Sequence, residues 1–229
     1  MAGSIRGISS MATKGLLAEL ATAYTGASGV PLAFEAVGGV DAARRVSAGE
    51  PFDVVVLASD AIDKLAAAGK VDASRKVDVV RSGVAVAVAA GAAQVDISTG
   101  EAVRRAVLDA ARIAYSTGPS GVALIALFER WGIADAIRER LVQAAPGVPV
   151  GSLVARGEAS LGFQQLSELI GVEGIELLGP LPPEIQITTV FSAAPVANAS
   201  RPDAVDGLLA YLASPATGDA KRRHGMEPA

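Results

Sequence analysis

The sequence predicts an α/β fold with parallel sheets, and three observations lead to this class. Strand-like and helix-like segments alternate along almost the whole 229-residue chain, joined by short links. Hydrophobic residues make up 51% of the chain but aromatic residues only 4%, so the apolar bulk is aliphatic, as in buried parallel strands covered by helices. Charged residues reach only 19%, below the usual level of about a quarter, which argues against disorder, a coiled coil or a charged tail.

In the first third of the chain, each of three predicted strands is followed by a predicted helix. Leu16 and Leu20 recur at helical spacing in the first helix. The segment 53–57 is a nearly continuous apolar run, which is typical of a central parallel strand. Ser59 and Asp60 are expected to cap the third helix. The predicted strands are 4–8, 30–37 and 53–57, and the predicted helices are 11–24, 40–48 and 59–68.

The same alternation continues to the end of the chain. A long β-favouring run covers 79–90, and Leu124, Leu127 and Phe128 share one face of a helix that follows Gly121. The other predicted strands are 113–115, 161–163, 175–178 and 185–191, and the other predicted helices are 99–110, 151–156 and 202–213.

Composition and charge exclude several classes of function. The net charge of −4 leaves no basic surface to neutralise phosphates, so we expect no nucleic-acid partner. The chain has no cysteine, which excludes disulfides, thiolate metal sites and cysteine nucleophiles. The single histidine, His224, lies near the end of the chain, where a solvated helix terminus is expected. We therefore expect neither a metal site nor a cofactor, and no Ser-His-Asp triad.

Nothing in the sequence predicts membrane insertion. The most apolar run, 84–93, is shorter than the roughly 20 residues that a bilayer requires. The first residues show no basic segment followed by an apolar one, so the chain as written is expected to be cytoplasmic. If a signal peptide was removed, the expected location is the periplasm.

Three predicted strand-to-helix turns share small hydroxyl or glycine residues. They are Ser9-Ser10, Gly38-Gly39 and the loop 116–121. In α/β sheets ligands bind beyond the carboxyl ends of strands, where helix N-termini offer free N–H groups and partial positive charge. Serine at helix starts is also common as a plain cap, but three such turns in one chain favour an anion site. No phosphate-binding or dinucleotide-binding glycine motif is present.

Two adjacent amides, Gln164 and Gln165, follow the predicted strand 161–163. Amide groups at the carboxyl end of a strand suit hydrogen bonding to carboxylate or hydroxyl groups. The pair therefore joins the candidate site.

The chain resembles the molybdate-binding branch of the type 2 periplasmic solute-binding proteins over nearly its whole length. The segments that carry the resemblance are Gly-Ile-Ser-Ser-Met at 7–11, Phe-Glu-Ala-Val-Gly-Gly at 34–39, Ala-Gly-Glu-Pro-Phe-Asp-Val-Val at 48–55, Gly-Pro-Ser-Gly at 118–121, and Val-Ala-Arg-Gly-Glu-Ala-Ser-Leu-Gly-Phe at 154–163. A divergent group within this branch, similar to aconitate isomerase, shows comparable Ile-Ser-Ser-Met-Ala and Gly-Phe-Gln-Gln elements.

The resemblance implies two Rossmann-like α/β lobes with mixed, mainly parallel sheets, joined by two crossing strands, with a ligand clasped between the lobes. Residues 79–90 are expected to form the first crossing and 186–192 the return. The first lobe is then discontinuous, with residues 1–80 and 193–229, and the second lobe holds 81–192, including both crossings.

The resemblance also places the oxyanion contacts of the family on the first two strand–helix turns and on the 116–121 loop. Together with the two glutamines, the candidate ligand-binding residues are Ser9, Ser10, Met11, Gly38, Gly39, Ser116, Thr117, Pro119, Ser120, Gly121, Gln164 and Gln165.

Two departures from the molybdate pattern point towards an organic acid. Molybdate-binding proteins of this branch usually have a tyrosine and an Asp-Ala pair where this chain has Gln-Gln-Leu-Ser-Glu at 164–168. They typically have a serine where this chain has Gly38-Gly39.

Two hypotheses follow, and the sequence favours the first. In the first, the chain is a binding protein for a small oxyanion or carboxylate, as a receptor for an ABC-transporter permease or as a sensor. In the second, it is a cofactor-independent isomerase of an unsaturated tricarboxylate. The second requires a group that moves a proton, and Glu35, Glu168 and Tyr115 are the candidates.

Overall fold

The computed structural model describes residues 4–229. The chain divides into two compact units. The first contains the residues up to Ser82 together with Thr189–Ala229, and the second contains Gly83–Thr188.

Strands and helices alternate as the sequence predicts. The strands are β1 (Ile5–Ser10), β2 (Leu32–Val37), β3 (Val54–Ala58), β4 (Val77–Ala89), β5 (Ile113–Tyr115), β6 (Leu141–Gln143), β7 (Leu161–Gln165), β8 (Ile175–Pro180), β9 (Thr188–Pro195) and β10 (Glu227–Pro228). The helices are α1 (Lys14–Ser28), α2 (Gly39–Ser47), α3 (Ser59–Ala67), α4 (Gly100–Asp109), α5 (Pro119–Arg130), α6 (Ala134–Ile137), α7 (Val150–Ala155), α8 (Leu166–Leu169), α9 (Pro202–Ala213) and α10 (Gly218–Arg223).

The first unit is built on a mixed sheet with the order β2-β1-β3-β9, followed by β4 and then β10. β1 pairs in parallel with β2 and with β3, whereas β9 returns antiparallel to β3. Because β1, β2 and β3 are parallel, their carboxyl ends meet at one edge of the sheet. All three strand-to-helix turns of this unit therefore lie along that edge.

Helices cover both faces of this sheet. One apolar cluster joins Ile5 of β1 and alternate residues of β3 to α1, α9 and α10, and a second joins Ile8 and the intervening residues of β3 to α2 and α3. Residues Val54–Ala58 of β3 are all buried, which agrees with the continuous apolar run in the sequence.

The buried carboxylate of Asp53 anchors the start of β3 through hydrogen bonds. Its carboxylate accepts hydrogen bonds from the backbone N–H of Arg6 at 2.9 Å and from the N–H and hydroxyl of Ser200 at 2.9 and 2.7 Å. Burial alone would raise the pKa of Asp53, but these hydrogen bonds outweigh it and lower the pKa. The carboxylate therefore ties the second segment of this discontinuous unit to the first.

The second unit has the strand order β4-β7-β5-β6, and β8 also pairs with β4. β5 is parallel to β6 and to β7, while β4 is antiparallel to β7. Helices α4 and α5 pack on one face around Phe128 and Phe163, and α7 packs on the other. The carboxyl ends of β5 and β7 therefore lie side by side, because Tyr115 pairs with Phe163.

The α/β class with mixed sheets is confirmed, and β4 contains residues of both units. Several predicted boundaries need correction. β1 continues through Ser9 and Ser10, which were expected to start a helix, because both pair with β2. Ser59 is the first residue of α3 instead of its cap, and Ala58 occupies the cap position without a side-chain hydrogen bond.

Candidate functional site

The turn after β1 contains two buried hydroxyl groups without a hydrogen bond. Ser9 is fully buried and Ser10 is 7% exposed, and the Oγ atom of each lacks a partner within residues 4–229. Ser10 precedes a 3₁₀ turn at Met11–Thr13 but gives it no side-chain cap. Buried polar groups are hydrogen-bonded in nearly all cases, so these two hydroxyls favour a ligand-binding role over plain capping.

The turn after β2 brings glycine next to that pair. Gly38 is the cap of α2 and has no side chain to bond the first N–H groups of the helix. A β-carbon at Gly39 would lie 3.7 Å from the Cβ of Ser10, so this turn borders Ser10 directly. The open helix N-terminus and the orphan serine are thus neighbours, and both favour an anion.

A third turn at the same edge was not predicted as part of the site. It follows β3, where Ala58 caps α3 without a side-chain hydrogen bond. The signal in the sequence was the position of Ser59 after a buried strand, which is the same pattern as at the other turns. Sequence reasoning assigned it to capping alone.

Glu35, one of the three candidate proton carriers, is engaged in an ion pair. Its carboxylate accepts two hydrogen bonds from the guanidinium of Arg45, at 2.5 and 3.1 Å, and Arg45 also pairs with Glu50 at 2.7 Å. The Arg45 hydrogen bond lowers the pKa of Glu35. An exposed carboxylate held in this way is a weak base.

In the second unit, the loop after β5 is a compact turn of small residues. The hydroxyls of Ser116 and Ser120 lie 3.1 Å apart, and Gly118 caps α5, with Pro119 in its first turn. A β-carbon at Gly121 would lie 1.9 Å from the carbonyl oxygen of Ser116, so only glycine fits at that position. The loop is therefore shaped for close backbone packing.

Gln164, at the carboxyl end of β7, makes two hydrogen bonds inside the second unit. Its Oε1 accepts from the backbone N–H of Val150 at 2.8 Å, which caps the start of α7. Its Nε2 donates to Oε2 of Glu168 at 2.8 Å. The sequence placed this amide in the ligand site, with carboxylate or hydroxyl groups as its expected partners, whereas in the structure both of its polar atoms contact groups of the protein itself. Gln165 is also buried.

Glu168 lies on α8, which follows β7 directly. It is partly buried and forms no ion pair within the part of the chain that the structure describes. Burial raises the pKa of its carboxyl to about 7, and the hydrogen bond from Gln164 opposes that rise only in part. A carboxyl group of this kind exchanges a proton near neutral pH. The signal in the sequence was the spacing of four residues between Gln164 and Glu168.

Other features of residues 4–229 bear on the remaining predictions. His224 ends α10, and its Nε2 lies 2.9 Å from a carboxylate oxygen of Glu19, so it has a specific partner where a solvated terminus was expected. No group of acidic or histidine side chains in this range has the arrangement of a metal site. No helix there is long and apolar enough to cross a bilayer.

Comparison with known proteins agrees with this architecture. The chain is 40% identical over 227 residues to an aconitate isomerase from a Pseudomonas species, which covers 96% of this chain and 86% of that protein. The structure resembles the periplasmic molybdate-binding protein of Azotobacter vinelandii with a TM-score of 0.81 and 20% identity, covering 97% and 98% of the two chains. It also resembles the sulfate-binding protein of Mycobacterium tuberculosis with a TM-score of 0.80 and 18% identity, covering 99% and 87%.

At such low sequence identity, the likeness to the solved structures shows a shared fold and nothing more. A family model described as bacterial extracellular solute-binding protein matches residues 5–227, which is nearly the full length. The chain therefore belongs to the bacterial extracellular solute-binding protein family.

Proposed function

We propose that this protein binds an unsaturated tricarboxylate of the aconitate type and moves its double bond without a cofactor. The observation that carries the binding step is the pair of buried, unpartnered hydroxyls of Ser9 and Ser10 beside the open N-terminus of α2. The observation that favours catalysis is the 40% identity to an aconitate isomerase over 96% of the chain.

Small-residue turns suit carboxylate groups because they offer neutral donors. We assign ligand carboxylates to the turns after β1 and β2 in the first unit, and the turn after β5 offers the same kind of donors in the second unit. Charge-assisted hydrogen bonds from hydroxyl and N–H groups hold an anion without a fixed cation. Val40 and Val122, the most exposed large hydrophobic side chains of residues 4–229, lie in the first turns of α2 and α5. Apolar side chains beside these turns favour a carbon skeleton over a bare tetrahedral oxyanion.

The proposed reaction is an allylic proton shift. A base removes a proton from the methylene carbon, and the electron pair of that C–H bond forms a new double bond to the central carbon. The π electrons of the old double bond take up a proton at the former vinyl carbon, so no atom is gained or lost. The negative charge of the dienolate-like intermediate spreads onto a carboxylate, where hydroxyl and N–H donors stabilise it.

Isothermal titration with a ligand panel tests the binding step. The panel contains cis-aconitate, trans-aconitate, the saturated tricarboxylate tricarballylate, molybdate, tungstate and sulfate. We expect binding of the tricarboxylates and no heat from the oxyanions. A ligand at one hundred times its dissociation constant should also raise the free energy of unfolding by about 2.7 kcal/mol. Binding confined to molybdate and tungstate would refute the tricarboxylate assignment.

A second candidate function is a receptor that delivers a small anion to the permease of an ABC transporter. The match to the extracellular solute-binding family and the folds shared with molybdate- and sulfate-binding proteins favour it. This function places the protein in the periplasm. It predicts tight anion binding with no chemical change of the ligand, so recovery of unaltered aconitate from the complex would select it.

A further inference from the structure

In the part of the chain that the structure describes, no cation forms an ion pair with the carboxyl of Glu168. Helix α8 packs against α7, β7 and β8. Helix α7 and strand β7 contain no charged residue, and the only charged residue of β8 is Glu176, which is exposed. The apolar cluster beneath α8 joins Leu169 to Ala85 and Ala87 of β4. The surroundings therefore disfavour the charged form and offer no cation to hold a permanent carboxylate.

The orientation of this carboxyl is fixed by Gln164. The amide of Gln164 cannot turn over freely, because its oxygen accepts from the N–H of Val150 while its nitrogen donates to Oε2 of Glu168. A donor on Oε2 leaves Oε1 of Glu168 as the oxygen without a protein hydrogen bond in the range 4–229. One oxygen is held and the other remains for a proton, which is the arrangement that a general base needs.

The same edge of the second unit carries the loop after β5. Because Tyr115 pairs with Phe163 in parallel register, Ser116, which begins the loop after β5, lies level with Gln164 near the end of β7. Glu168 is in the first turn after Gln164. The hydroxyl-lined loop and the partly buried carboxyl thus belong to one sheet edge, where a ligand carboxylate and a ligand C–H bond would lie close together.

We propose that Glu168 is the group that moves the proton in the isomerisation, and that Gln164 is its positioning residue. This assignment rests on the proposed function. The Glu168 carboxylate takes the methylene proton and becomes a carboxylic acid, and it then returns a proton to the former vinyl carbon. The side chain ends each turnover as it began, so no external acid, base or oxidant is consumed.

The other two candidates are poorer choices. The carboxylate of Glu35 is exposed and held by Arg45, which keeps its pKa low. Tyr115 packs against the apolar cluster of α4 and α5. Glu168 is the candidate whose environment and free oxygen both match the task.

The test compares three variants by the rate of conversion of trans- to cis-aconitate. Glu168→Gln keeps the shape of the side chain but cannot accept the proton, so we expect kcat/KM to fall about 10²- to 10⁴-fold. Glu168→Asp retains a carboxyl and should keep part of the activity. Glu176→Gln makes the same chemical change at the exposed glutamate of β8 and should leave the rate unchanged. Calorimetric binding of tricarballylate, which has no double bond, shows whether each variant still folds and binds.

The pH profile supplies an independent readout. The wild-type kcat/KM should rise with pH to a plateau, with a midpoint near the pKa of about 7 of Glu168. The residual kcat/KM of Glu168→Gln should not show this rise with pH. If the Glu168→Gln variant binds tricarballylate and converts aconitate at the wild-type rate, Glu168 is not the group that moves the proton. That result leaves the proposed function standing. A wild-type protein that converts neither isomer overturns the proposed function, and the assignment falls with it.

Discussion

At the level of single residues, the hydroxyls of Ser9 and Ser10 impose a cost on the unliganded fold. Each is buried without a hydrogen bond, and such a group costs about 1–3 kcal/mol when it is left unpaired. Side chains that lower stability yet lie at the carboxyl end of a strand are expected where binding repays the cost. The serines are therefore better explained by a ligand than by folding.

Replacing Ser10 separates these two explanations. We expect Ser10→Ala to leave the melting temperature unchanged or slightly raised, because no protein hydrogen bond is lost. Tricarboxylate affinity should fall about 10- to 100-fold, the value of a hydrogen bond to a charged group. Calorimetry and thermal unfolding measure both quantities.

Ser214→Ala is the matched control, because the Oγ atom of Ser214 is also buried without a partner but lies between α9 and α10. It should have a similarly small effect on the melting temperature and leave the tricarboxylate affinity unchanged. Equal affinity in the wild type and Ser10→Ala would show that Ser10 does not contact the ligand.

Glu168 makes stability depend on pH in a direction opposite to that of an ion-paired carboxylate. Its folded pKa, about 7, lies above the ordinary value of 4.5, so the folded state is penalised as the pH rises from about 4 to 7, and the penalty persists above 7. Glu168→Gln should therefore raise the free energy of unfolding at pH 8 by up to about 3 kcal/mol, at about 1.4 kcal/mol for each pH unit between the two values.

At pH 4 the same substitution should have little effect on stability, because the carboxyl is then protonated in both states. Urea titrations of the wild type and the variant at the two pH values give the comparison. A gain in stability that is equal at pH 4 and pH 8 would contradict the explanation by charge burial.

The composition of the site was more predictable from sequence than its hydrogen bonds. Serine, glycine and glutamine residues near the ends of strands could be recognised from sequence, because the carboxyl ends of parallel strands meet at one edge of the sheet. That Gln164 binds Val150 and Glu168 depends on the packing of α7 against β7, which no local pattern encodes. The raised pKa of Glu168 likewise follows from neighbours that are distant in sequence.

At the level of elements, the loop after β5 depends on glycine at one position only. Gly121 approaches the carbonyl of Ser116 so closely that a methyl group cannot fit, whereas a β-carbon at Gly118 would have Ser116 Oγ as its nearest atom, at 4.0 Å. We expect Gly121→Ala to lower stability by about 1–3 kcal/mol through overpacking and to weaken tricarboxylate binding. Gly118→Ala, at the cap position of α5 in the same loop, should cost less, about 0.5–1 kcal/mol, because alanine is a poorer N-cap than glycine.

Denaturant unfolding and calorimetric titration of the two variants test this difference. If Gly121→Ala unfolds at the wild-type denaturant concentration, the close packing of the loop is not a requirement of the fold.

The elements missed from sequence are short, and they include α6 and α8, which have four residues each. β6 has three residues and β10 has two, too few for a period-two pattern to be recognised. By contrast, α1 and the buried strand β3 were found because each carries a long, uniform pattern. Length and burial thus decide which elements of this chain can be predicted.

At the level of the whole molecule, a binding-protein fold has to be reconciled with a catalytic relative. The fold supplies helix N-termini and small-residue turns, which bind an anion whether or not it reacts. Chemistry needs one additional group, and Glu168 is the partly buried carboxyl, held by an amide, that meets this need. On this account the step from receptor to isomerase lies in the segment 164–168, where the chain departs from the molybdate pattern.

The most direct test of this account is to follow the isomerisation from both sides by proton NMR. Pure cis-aconitate and pure trans-aconitate are incubated separately with the dialysed protein in the presence of a metal chelator. The account predicts that both samples converge on the same ratio of isomers, while protein-free samples stay unchanged. If both isomers bind the protein but neither is converted, the isomerase account is contradicted, and the protein is an anion receptor.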